Sequence, residues 1–189
     1  EKLLVFSDLQ IGYRRVEELE PMHDERVIDL IHQLSVDVQP DTIVNLSDTI
    51  DLGEMSRFDP DSDHFHRTLA PSFQRVHDFY AQLRSDNPDT RIVEVDSNHT
   101  ARPTRAILKK MPEMYGFTLP GEDYPLMTYY SLARLAHVGV EFISGYGAAE
   151  YIHGGHYGRE WVFKHGNHSS SSAGATVRKE SLENPEVNV

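Results

Sequence analysis

Four short apolar runs, each closing on polar side chains able to hold a metal ion, constrain this chain more than any other feature. They are LLVFSD (3–8), DTIVNLSD (41–48), RIVEVDSNH (91–99) and WVFKHG (161–166). Runs of this length, rich in β-branched residues, suit strands buried on both faces, as in a parallel sheet. Helical patterns lie between them. Residues 23–34 put Val27, Leu30, Ile31 and Leu34 on one face at i, i+3, i+4, i+7 spacing, and Pro40 and Asp41 turn the chain back toward a strand. Residues 63–83 predict a long amphipathic helix with Phe65, Leu69, Phe73, Val76, Phe79 and Tyr80 inward, ending before the turn-like Ser-Asp-Asn-Pro at 85–88. Shorter helices are expected at 104–111, 130–136 and 173–183, a further strand at 138–144, and the start of a last strand at 186–189. Alternating strands and helices imply crossover connections and a layered α/β domain, whose ligands gather beyond the carboxyl ends of the strands.

The length fits a single domain spanning 1–189, and a 39% hydrophobic content supplies one sizeable core. The absence of cysteine excludes disulfides and thiolate metal sites and is compatible with a reducing cytoplasm. No apolar run approaches the ~20 residues of a membrane span, and the first residues lack the pattern of a signal peptide. The expectation is a cytoplasmic protein with no membrane partner. Eighteen basic against thirty acidic residues give a formal charge of −12, which opposes broad attraction to nucleic acid or anionic lipid. A polyanionic substrate would need local help, most simply a bound cation.

The strand ends deliver Asp8 and Gln10, then Asp48 with Asp51 behind it, then Asn98 and His99, then His165. Any one of these alone reads as a turn former or a helix cap. Four such ends at one edge of a cysteine-free sheet point to a hard metal site of mixed oxygen and nitrogen ligands. A carboxylate between two divalent ions offsets their repulsion, imidazoles fill outer positions, and an amide oxygen adds a ligand without adding charge. Two cations about 4 Å apart can hold a phosphoryl group and a hydroxide in line, while a nearby protonated imidazole serves the leaving oxygen.

In order and spacing, Ser-Asp8-Leu-Gln10, Ser47-Asp48-Thr-Ile-Asp51, Ser97-Asn98-His99-Thr100 and His165-Gly166 resemble the motifs of the calcineurin-like metallophosphoesterases. The form SDLQIGY, with Ser56-Arg57-Phe58 following Asp51, looks closest to versions carried by tailed phages and some bacteria, for which the location would be the host cytoplasm. The resemblance implies an α/β fold with a β-sandwich of two mixed sheets flanked by helices, and hydrolysis of a phosphomono- or phosphodiester by a metal-bridging hydroxide. It makes Asp8 and Gln10 ligands of a first metal, Asp48 the bridge, Asn98 and His165 ligands of a second, and His99 the acid or substrate-orienting group. Asp51 would hydrogen-bond His99 or a ligand, with a helix N-cap as its ordinary reading. Two divalent ions are implied; the oxygen-rich set favours Mn²⁺, and Zn²⁺, Fe, Ni²⁺ or Mg²⁺ are compatible. The substrate class is a phosphoester, including a nucleotide or a nucleic-acid end.

The sequence departs from that pattern at several places. Gln10 stands for a histidine, Ser47 and Ser97 for glycines, and Thr100 for an acid. The serines are mild replacements where positive φ is not required. A final Gly-His-x-His is missing, and the expectation is that a C-terminal segment bearing it lies beyond residue 189. The remaining histidines, including His23, His32, His64, His66, His77, His153, His156 and His168, read as helix-face or loop residues, and Arg102, close behind the Asn-His pair, reads either as a phosphate contact or, as a lone arginine, as solvated or salt-bridged. A nucleophile elbow and a phosphate loop are both missing, as are the second Asp of haloacid-dehalogenase-like phosphatases and the His-x-His-x-Asp-His run of metallo-β-lactamase-like hydrolases. The non-enzymatic alternative is an impaired binding or scaffold module on the same fold.

Overall fold

The computed structural model describes residues 2–55, 67–145, 149–152, 161–166 and 175–183. Its centre is a four-stranded parallel sheet of β1 (Leu3–Phe6), β4 (Thr42–Asn45), β5 (Arg91–Val95) and β6 (Val140–Ile143), in the order β1-β4-β5-β6. Continuous apolarity tracks position in the sheet. All of β4 and all but the first residue of β5 are buried, whereas edge strand β1 leaves Val5 38% exposed.

Helix α1 (Glu25–Val38) begins at Asp24, whose side chain accepts the Arg26 N–H, and leads into β4. Helix α2 (Leu69–Asp86) links β4 to β5, and α3 (Arg102–Lys110) follows β5. The core joins Ile28 and Ile31 of α1 to Phe73, Val76, Phe79, Tyr80 and Leu83 of α2, over Ile43 and Ile92 of the sheet. At roughly 1.5–3 kcal/mol for each fully buried large apolar side chain, this layer is the main stabilising contact of the sheet.

The inward face of α1 differs from the sequence expectation. Ile31 is buried as expected, but its partners are Ile28 and Ser35, while Val27, Leu30 and Leu34 are 45%, 52% and 38% exposed. The helix is apolar on two overlapping stripes, so periodicity does not decide its rotation. A polar contact does: buried Asn87 at the end of α2 donates to Ser35 Oγ at 2.8 Å, beside His32 Nδ1 and Asp86 Oδ2 at 3.1 Å. The same Asn87 lets α2 run through Ser85 and Asp86, past the expected stop.

Two small antiparallel hairpins accompany the sheet, β2 (Tyr13–Arg15) with β3 (Leu19–Pro21) and β7 (Ala149–Ile152) with β8 (Trp161–Lys164), so the run at 161–166 forms an antiparallel strand with Trp161 41% exposed and not the buried parallel strand expected. The first carries no sequence signal, because its strands are three residues long and its turn, Val16-Glu17-Glu18, lacks the usual Gly, Asn, Asp or Pro. The second is tied to β5 by the Arg91–Glu150 ion pair. A short helix α4 (Tyr129–Leu132) and a 3₁₀ turn (Leu135–Val138) precede β6, and α5 (Ala175–Glu183) closes the described chain. The helix expected from 63 begins only at Leu69, because Arg67 has φ +57° and Thr68 stands at the N-cap; residues 63–66, with Phe65, and the expected strand at 186–189 lie outside the described residues.

Arg84 fastens three of these pieces. Its guanidinium donates to the carbonyls of Asn87, Pro88 and Thr90 in the turn before β5, and to those of Val138 and Gly139 before β6. Gly139 has φ +65°, and a Cβ there would meet the guanidinium at 3.4 Å, so both residues are needed for the turn. We predict that Arg84→Lys, which loses the planar fork, lowers unfolding stability by about 2 kcal/mol in urea titration; an unchanged midpoint would refute this role.

Candidate metal centre

At the carboxyl edge the loops after β1 and β4 are joined backbone to backbone. The N–H groups of Asp8, Gln10 and Ile11 donate to the carbonyls of Ser47, Asp48 and Thr49, and the Asp51 N–H returns to the Ile11 carbonyl, at 2.7–3.0 Å. Five non-glycine residues here have left-handed φ: Asp8 (59°), Gln10 (50°), Ser47 (75°), Asp48 (50°) and Leu52 (50°). Each costs on the order of 1 kcal/mol, and such clusters belong to sites the surrounding fold holds in place. Ser47 therefore sits where the condition for a mild glycine replacement is not met. Gly12 lets the two loops approach, since a Cβ on it would stand 3.3 Å from Asp51 Cβ.

Five of the expected side chains meet. Asp48 is 6% exposed, and its Oδ2 accepts from Gln10 Nε2 at 3.3 Å and faces His99 Nδ1 at 3.7 Å. Its Oδ1 faces His165 Nε2 at 3.8 Å. Asp51 Oδ1 lies 3.8 Å from the same His99 nitrogen. His165 comes from the end of β8, and its Nδ1 donates to the Leu46 carbonyl at 2.9 Å. That bond leaves the lone pair on Nε2, the nitrogen aimed at Asp48. Asp8, exposed, and Asn98, half-buried, stand on the same edge but outside this contact group. The Ser56-Arg57-Phe58 stretch and His64, His66, His153, His156 and His168 lie outside the described residues.

Two buried atoms in the group, Asp48 Oδ1 and His99 Nδ1, have no hydrogen-bond partner among the described residues. His99 also holds a hydrogen bond to the Ile50 backbone; burial, aided by the Arg102 cation, keeps the ring below the usual imidazole range against the pull of Asp48 and Asp51. Two carboxylates and two imidazole nitrogens thus face one another across shared space. Among the described residues no three His, Asp or Glu side chains stand close enough together to hold a metal ion as they are placed. The 3.7–3.8 Å separations are a little wider than the roughly 3–3.5 Å between two atoms each about 2.1 Å from one ion.

Arg102 does not project toward substrate. Its Nη1 donates to the carbonyls of Asp51 and Leu52, clamping the loop after Asp48. Thr100 is also structural: its hydroxyl donates to Asp96 Oδ1 at 2.6 Å and accepts the Ser97 N–H at 2.8 Å, which shapes the Asn98–His99 turn. Ser97 has no positive φ, so its substitution for glycine is the mild one. The outlying histidines hold the fold. His23 is buried between Gly12 and Glu25, and His77 bonds the Ala133 carbonyl.

Sequence reasoning missed Glu94. It lies in the middle of β5, fully buried, and accepts from Thr49 Oγ1 (2.6 Å), Ser47 Oγ (3.3 Å), Tyr80 OH (2.8 Å) and Tyr129 OH (2.9 Å). Asn45 extends the network by donating to Thr49 Oγ1 and Tyr80 OH and accepting the Ser47 N–H. Glu94 therefore grips the residues on both sides of Asp48. The available signal was an acidic residue set among the apolar residues Ile92, Val93 and Val95 of the run RIVEV.

Burial pushes the Glu94 carboxyl up to about 7, against the four hydroxyls that favour its anion. A carboxyl raised on folding binds its proton more tightly in the folded state, so its contribution is full below about pH 4.5 and is lost as pH rises to about 7. We predict that wild type loses up to about 3 kcal/mol relative to Glu94→Gln between pH 4.5 and 8, read by urea unfolding. Parallel pH profiles for the two proteins would contradict it.

No protein-family model and no curated protein matches the chain.

Proposed function

We propose that this protein is a metal-dependent phosphoesterase of the calcineurin-like type, hydrolysing a phosphomono- or phosphodiester. The observation that carries the reading is the meeting of Asp48, Asp51, His99, His165 and Gln10 at one sheet edge, with Asp48 Oδ1 and His99 Nδ1 buried and unpartnered among the described residues. The parallel sheet with the β7–β8 hairpin fastened to β5 is consistent with the expected two-sheet sandwich.

In this proposal Asp8, Gln10, Asp48, Asn98 and His165 would hold two divalent ions, with Mn²⁺ favoured by the oxygen-rich set. Bound cations supply charge stabilisation for the phosphoryl oxygens and a more acidic water. The residues themselves have separate tasks. The Leu46 carbonyl fixes the His165 tautomer so that Nε2 stays a ligand. Burial keeps the His99 ring below the usual imidazole range against the pull of Asp48 and Asp51, so His99 serves as the group that orients the substrate. The loop held by Arg102 keeps this arrangement from relaxing.

Gln10 Nε2, rather than its oxygen, faces Asp48, and that contact favours a second reading, a metal-stabilised binding or scaffold module. The readings separate by turnover. The expected result is Mn²⁺-dependent hydrolysis of bis-p-nitrophenyl phosphate by the wild-type protein, reduced at least about 100-fold in Asp48→Ala and abolished in Asp8→Ala. Mn²⁺ binding without turnover above the Asp48→Ala control would sink the enzyme. In calorimetric titration Gln10→His should bind Mn²⁺ at least as tightly as wild type, and weaker binding would remove Gln10 from the ligand set.

A further inference from the structure

A cavity of about 490 Å³ opens over the carboxyl ends of β5 and β6, within the range of small-ligand sites. Its walls include Thr104 and Arg105 of α3, Tyr115, Tyr124, Tyr130 and Phe142. Tyr124 and Tyr130 have ring centroids 4.3 Å apart, and Tyr130 and Phe142 stand 5.9 Å apart with planes inclined by 31°. Tyr115 and Tyr124 are 54% and 49% exposed, so these two aromatic residues of the lining are accessible from solvent.

One loop separates this cavity from the candidate metal centre. Asp96 and Thr100 face the cavity, while His99 between them faces Asp48 and Asp51. The loop is pre-shaped, because Asp96 accepts from the Ser97 N–H, the Thr100 hydroxyl and the Gly145 N–H, the last of these from the end of β6. Neighbouring strands lie about 4.8 Å apart. The cavity is therefore one or two strands from Asp48, a span that a sugar can bridge.

We propose that the cavity seats the nucleobase of a mononucleotide-type phosphoester whose phosphate lies at Asp48 and His99, a proposal that rests on the phosphoesterase reading. Aromatic faces and a guanidinium are the groups on which a planar heterocycle stacks. A long nucleic acid is disfavoured, because it needs a basic track and this chain carries 18 basic against 30 acidic residues. One base and one phosphate require no such track.

The test compares adenosine 5′-monophosphate with ribose 5-phosphate by ligand-observed NMR titration, in Mg²⁺ and in EDTA. It uses the wild type and the Tyr115→Ala/Tyr124→Ala double variant, whose exposed positions spare the core. Stacking one base on an aromatic side chain changes affinity by roughly five- to 150-fold. The expected result is at least about tenfold tighter binding of the nucleotide to wild type, an advantage lost in the double variant while ribose 5-phosphate binding is unchanged. Equal affinities in the wild type overturn the proposal, as does a double variant that keeps the advantage or shifts in sedimentation mass, which would make the aromatic face a contact between copies. A base advantage that persists without any Mg²⁺ effect supports the cavity and removes the phosphoesterase reading. Mg²⁺-dependent but equal binding of both ligands does the reverse.

Discussion

The edge loops depend on one buried carboxylate. Glu94 takes hydrogen bonds from Ser47, Thr49, Tyr80 and Tyr129, and so couples β5 to both flanks of Asp48, to α2 and to α4. Burying such a group without a cation is costly. The hydroxyls offset that cost and hold the Ser47–Asp48 turn in a left-handed conformation that a non-glycine chain would otherwise leave. The strain at Asp48 and the network beneath it are two halves of one arrangement.

Much of this was legible in advance. Three strands of the parallel sheet, β1, β4 and β5, and the edge at which polar residues collect follow from short apolar runs ending in Asp, Asn or His, and β6 from the apolar run at 138–144, whereas the fourth such run, WVFKHG, forms the antiparallel strand β8. Asp48, Asp51, His99, His165 and Gln10 do share that edge. The parts that escaped notice have physical reasons. The rotation of α1 hinges on a buried Asn87–Ser35 contact between residues distant in sequence. The β2–β3 hairpin forms without turn chemistry, closed instead by the Met22 N–H bonding to the Gly12 carbonyl. Glu94 hides because a charged residue in a strand reads as an outward face until its partners on other elements are known.

Arg102 shows how the same residue type serves two economies of structure. A lone arginine behind an Asn-His pair invites a phosphate-binding role, yet its Nη1 donates to the carbonyls of Asp51 and Leu52. Backbone carbonyls turned inward by left-handed residues need donors, and a planar guanidinium satisfies two at once.

Each pairing within the parallel sheet joins segments separated by a helix or more, with Leu3 in register with Thr42, and Thr42 with Arg91. Such a sheet closes long loops before any pairing is rewarded, which slows folding. The Asp8 and Asp48 loops inherit that order of events: they acquire their shape only when β1 and β4 are already zipped. Local fraying cannot release one without parting the strands, so amide protons at this edge should exchange with the protection of the global core rather than that of surface loops.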